Sequence, residues 1–176
     1  MDLRIEKTLA AIRNAFLQLR ARKPLEKITV KELSALANIN KATFYLHYHD
    51  IYDLSESLER EVVNECFKGV DDSSMILNDV GQLLKCMEQN ILMNEQLIKI
   101  LFEGSRSTSF TEIFEKELYS RIFRSHPDYV PTEEGRMMMT FLIHGAYYTY
   151  FQNTEKGIQP VLALIEKLSG GLVKFD

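Results

Sequence analysis

Apolar residues recur at intervals of three and four along most of the chain, and no segment alternates strictly as a half-buried strand would. The pattern predicts an all-α protein. A first helix is expected over residues 3 to 22, where Leu9, Ile12, Phe16 and Leu19 share a face and Pro24 forbids continuation. Two short helices then follow in close succession. Thr29 reads as an N-cap with Glu32 as its capping-box partner, and Val30, Leu33, Leu36 and Ala37 give that helix its inward face. Asn38 can adopt the left-handed conformation that turns the chain, and Asn40 caps the next helix. Ile39 is placed to staple onto Phe44. With Phe44 and Tyr48 turned inward, Lys41, Ala42, Tyr45, Leu46 and His49 are left on the outer side.

Asp50 caps a fourth helix that runs through Leu54, Leu58 and Val62 towards Phe67. Further helices are expected near 74 to 93, 95 to 103, 109 to 125, 133 to 152 and 158 to 173. Gly104, the stretch from His126 to Pro131, and Gly157 before Pro160 separate the last of them. There is no internal repeat and no low-complexity tract.

Composition changes the picture in one respect. The 176 residues are 45% hydrophobic and carry a net charge of −4, which at first sight argues against a polyanionic partner. Residues 1 to 50, however, hold nine Lys/Arg against five Asp/Glu, and the acidic excess lies wholly in residues 51 to 176. A basic start on an acidic remainder suits a chain whose first part alone meets nucleic acid. No apolar run reaches the ~20 residues of a membrane span. The start "MDLRIEKTLAAIRN" lacks the basic-then-apolar order of a signal peptide, so a cytoplasmic, unprocessed chain with no membrane partner is expected. Cys66 and Cys86 stand without CxxC or Cys/His spacing and read as free thiols.

Two short capped helices joined by a tight turn have the physics of a helix-turn-helix, in which the first helix crosses the DNA backbone and the second enters the major groove. The stretch "ITVKELSALANINKATFYLHYHDIYDL" resembles the DNA-binding domain of the TetR family of bacterial transcriptional regulators, in which "TFYxHF" closes the recognition helix. The resemblance covers residues 5 to 58, and the chain is similar to the smaller members related to dihydroxyacetone kinase operons. It implies a helix-turn-helix domain over 1 to 50, a linking helix to about 68, and a helical regulatory and dimerisation domain over 51 to 176.

Carried over by position, the resemblance places Thr29 and Lys31 near the backbone and groove edge, and Lys41, Ala42 and Thr43 against base edges. Tyr45 and His47 fall on phosphates, and Asn40, Leu46 and His49 complete the DNA-facing set. Lysine can donate to guanine, alanine permits close approach, and hydroxyl and imidazole donors suit phosphate oxygens. The chain departs from the family in three places: Asn38 replaces the usual turn glycine, Ala42 and Leu46 make a plainer face, and Ile51 replaces a frequent lysine.

In the C-terminal half, "RMMMTFLIHGAYYTYFQ" is apolar nearly all round, as a helix buried on every side would be. With the stripe Val161, Leu164, Ile165 and Leu168 on the next helix, Tyr147 and Tyr150 are candidates for a four-helix interface between two copies. A homodimer on a palindromic operator is expected, because one short helix reads few bases. The resemblance also implies a small-molecule effector pocket, with Met87, Phe102, Phe114, Met138, Phe141 and His144 as candidate walls. Read from the residues alone, the same stripe is ordinary core.

Enzyme chemistry has little to stand on. There is no glycine-rich phosphate loop, no GxSxG and no HExxH, and His47 and His49 diverge by about 200° on a helix. No catalytic residue, metal or cofactor is expected. Two classes of function remain: a DNA-binding regulator, most often a repressor in such families, and a coregulator or activator subunit of the same shape that works through a protein partner.

Overall fold

The computed structural model describes residues 3–70, 80–157 and 159–172, and the protein is all-helical, with no strand among the described residues. The helices are α1 (Leu3–Arg20), α2 (Val30–Leu36), α3 (Lys41–Tyr45), α4 (Ile51–Cys66), α5 (Val80–Phe102), α6 (Ser107–Ser125), α7 (Glu133–Gln152) and α8 (Gln159–Leu172). No helix among the described residues is long and apolar enough to cross a membrane. Ile76 lies outside the described residues, as do the side chains of Val80, Leu84 and Leu172.

One expected break is absent. Where two helices are expected, over 74 to 93 and 95 to 103, a single α5 runs through to Phe102. At the expected break the Asn94 side chain donates to the Asn90 carbonyl one turn back at 2.8 Å. No Gly or Pro lies near residue 94 to stop the helix.

The chain forms two compact units. The first combines Met1–Val62 with Gln96–Thr108, and the second combines Val63–Glu95 with Ser109–Asp176. In the first, Ile12, Phe16, Leu25, Leu33, Phe44 and Leu54 are buried together with Ile98, Leu101 and Phe102 from the end of α5. A polar network accompanies this core. Glu59 on α4 is 0% exposed, accepts from Ser55 Oγ at 2.7 Å and takes both a 2.9 Å bond from Arg106 Nε and a second from the same guanidinium. Arg20, buried at the end of α1, donates to the carbonyls of Glu103 at 2.9 Å and Leu101 at 3.3 Å. It thereby satisfies carbonyls that the end of α5 would leave open. Ser105 adds a bond to Glu26.

The second unit is held by aromatic rings. Phe67 meets Phe114 at 4.6 Å between centroids, Phe114 meets Phe110 at 5.6 Å, Phe110 stacks on Tyr147 at 5.1 Å, and Tyr147 meets Phe151 at 4.4 Å. Such offset and tilted pairs suit the ring quadrupoles. Arg121 lies 5.0 Å from the Phe67 centroid and donates to the Val70 carbonyl at 3.1 Å, while Asn90 donates to the Lys68 carbonyl at 2.7 Å. Both hold the chain where it leaves α4. Tyr150, Val161 and Ile165 form a further apolar cluster between α7 and α8, and Tyr150 donates to Glu95.

Candidate nucleic-acid interface

The geometry of α2 and α3 follows from four local devices. Thr29 Oγ1 accepts from the Glu32 backbone N–H at 3.2 Å and caps α2. Only half of the expected capping box forms, because the Glu32 carboxylate pairs with Lys23. An ammonium within reach is a better partner for a carboxylate than a backbone amide. At the other end Asn38 adopts φ 54°, the Ile39 N–H donates to the Ser34 carbonyl at 3.0 Å and the Asn38 N–H to the Ala35 carbonyl at 3.3 Å. This is a Schellman turn in which asparagine stands where glycine is commonest.

Asn40 then caps α3 twice over, its Oδ1 accepting from the Thr43 N–H at 2.7 Å and from the Thr43 hydroxyl at 2.9 Å. Finally Asp50 Oδ1 accepts from the Asp53 N–H at 2.8 Å, and Asp53 reaches back to the His49 N–H at 2.9 Å. The role of Asp53 was missed in the sequence, although Asp-x-x-Asp at a helix start was the signal that could have found it.

Phe44 is the keel of this arrangement. Its ring is 0% exposed, with Tyr45 edge-on at 5.5 Å and Tyr48 at 5.7 Å. Burial, with Glu61 and Asp53 nearby, pushes the Tyr48 hydroxyl above its ordinary pKa. With Phe44 fixed inward, the opposite side of α3 faces solvent. Thr29, Lys31, Asn40, Lys41, Ala42 and His49 are exposed, Thr43 and His47 are half-buried, and Tyr45 and Leu46 are 56% and 81% exposed. All ten candidate residues thus reach the surface of the first unit.

The charges around them are uneven. Glu32 is paired with Lys23, Glu61 with Arg13, and Asp50 and Asp53 are engaged as caps. Lys31 and Lys41 have no carboxylate partner among the described residues. Comparison of the chain with protein-family models, with curated proteins and with solved structures finds no match. The site therefore stands on its own residues.

The other candidate sets fare differently. Met87 and Phe102 are fully buried, but Met87 belongs to the second unit and Phe102 to the first. Phe114 is engaged with Phe67 and Phe110, Met138 and His144 are half-buried, and Phe141 is 64% exposed. An open groove of about 590 Å³ lies elsewhere on the second unit, lined by Lys116, Tyr119, Ser120, Phe123, Pro131 and Arg136.

Of the interface candidates, Tyr147, Tyr150, Val161 and Ile165 are buried within the single chain, and Leu164 and Leu168 are exposed. On α7 the outward apolar face is Met137, Phe141 and Tyr148 instead, with Gly145 among them. Burial also pushes the Tyr147 and Tyr150 hydroxyls upward, in the latter case with the Glu95 carboxylate beside it.

Proposed function

We propose that this protein is a sequence-reading, DNA-binding transcriptional regulator that uses α3 as its recognition helix. The observation that carries the reading is the face of α3. A five-residue helix is fixed by a doubly bonded cap and a buried phenylalanine, and it turns Lys41, Ala42, Tyr45 and Leu46 outward. A helix so short that is held so firmly suits a part that must meet a rigid partner in one register. Lys31 and Lys41 supply positive charge where the nearby acids are already engaged.

Two copies would read a palindrome, since one such helix covers only a few base pairs. The exposed apolar residues Met137, Phe141 and Tyr148 on α7, with Leu164 and Leu168 on α8, are a face that a second copy would cover. Light scattering at micromolar concentration is expected to give a dimer mass, and a monomer would refute this part.

The test of the reading itself is selection from a random duplex library by the purified protein at two salt concentrations. A palindrome is expected, with affinity falling as salt rises. Lys41→Ala is expected to cost about 1 to 3 kcal/mol on the selected site if Lys41 donates to a guanine. Equal losses on selected and random duplex would reduce that lysine to a phosphate contact. A second reading, a coregulator that docks a protein through the same surface, draws support from the exposed apolar Leu36, Tyr45 and Leu46. Weak, salt-sensitive binding with no enriched sequence is what it predicts.

A further inference from the structure

Part of the surface presented by α3 and its C-cap is apolar. Leu46 is 81% exposed, and Ala42, four residues earlier and so one turn away on the same side, is also exposed. Single exposed leucines are common on protein surfaces and by themselves mean little. This one sits on a backbone held in place by local hydrogen bonds. The Leu46 N–H donates to the Ala42 carbonyl at 3.1 Å, the Asn40 cap fixes the start of the helix, and Phe44 is anchored beneath it.

A leucine can neither donate nor accept a hydrogen bond. Against most base edges in the major groove it would strip water from a donor or acceptor and return nothing, which is unfavourable. One group there is its complement. The 5-methyl of thymine is the apolar feature of the major-groove edge. Resting on the DNA-binding reading above, we infer that Leu46 selects thymine, its side chain covering the 5-methyl group of one thymine in each half-site. The small Ala42 lets the helix approach closely enough for that contact. The site read by α3 is then mixed: a lysine for a hydrogen-bonding base, and a leucine for a methyl group.

The full-length protein and its selected duplex test this directly. Each thymine of the duplex is replaced in turn, in both half-sites, by deoxyuridine, which differs only in lacking the methyl group. At one thymine per half-site the replacement is expected to weaken wild-type binding about fourfold for each methyl group removed, and so about sixteenfold with both half-sites replaced. Leu46→Ala is expected to bind the thymine and deoxyuridine duplexes equally and to keep the wild-type salt dependence. Leu46→Gln is expected to move the preference at that position towards adenine, whose N6 and N7 an amide can pair. Because residue 46 is exposed, both variants should melt with the wild type.

A wild type indifferent to every deoxyuridine overturns the inference while leaving DNA reading intact. So does a Leu46→Ala variant that stays as sensitive as the wild type. Failure to enrich any sequence overturns the DNA-binding reading, and the inference with it.

Discussion

In the first unit, α2 and α3 span seven and five residues, lengths at which an isolated helix does not persist in water. In the second, α7 spans twenty residues and is lined with methionine and aromatic side chains. The short helices are bounded by side-chain caps at Thr29, Asn40 and Asp50 and by the Schellman turn at Asn38. The long one is fixed by what surrounds it: Tyr147 between Phe110 and Phe151, and Tyr150 against Val161 and Ile165. The short helices thus owe their ends to local hydrogen bonds, and the long one owes its place to the rings packed around it.

That contrast can be broken in order of size. Phe67→Ala removes a fully buried ring from the chain of aromatics and the surface under Arg121, and is expected to cost roughly 3 to 5 kcal/mol in chemical denaturation. A loss below about 1 kcal/mol would show that the rings are not what holds the second unit. Arg106→Met leaves the Glu59 carboxylate buried without its charge partner and is expected to cost about 3 kcal/mol. The double variant Glu59→Met/Arg106→Met should recover much of that loss, and failure to recover would assign the cost to packing.

Asn40→Ala deletes both bonds to Thr43 and is expected to cost about 1 kcal/mol. Under the proposed function its effect on DNA affinity should exceed what that stability loss explains, because α3 loses its fixed direction. Asn38→Gly should act in the opposite sense, raising stability by up to about 1 kcal/mol, since glycine takes a φ of 54° without strain. A fall in melting temperature would mean that the asparagine side chain has a contact worth more than the strain it carries.

The sequence showed most clearly what neighbouring residues decide. The caps at Thr29, Asn40 and Asp50 and the turn at Asn38 depend on side chains within three or four positions of the backbone they serve, so their spacing is written in the chain. Periodicity shows which face of a helix is apolar but not which element covers it. That is why Tyr147 and Ile165, marked for a partner copy, are buried in their own chain, while Phe141, marked for a cavity wall, is exposed. The Glu59–Arg106 pair joins residues 47 positions apart and left no local trace. The unbroken α5 stands where two helices were expected, and no Gly or Pro near residue 94 marks an end there.

The segment Gln96–Thr108 belongs to the first unit although more than thirty residues of the second separate it from Val62. In the history of a gene this matters. An exchange that joined the first 62 codons to a different downstream half would inherit Glu59 without Arg106, and Arg20 without the carbonyls of Leu101 and Glu103. Such a chimera would begin life with two buried charges stranded. The unit can be transplanted only as two pieces, and a graft must carry Gln96–Thr108, with Leu101, Glu103 and Arg106, along with the N-terminal helices.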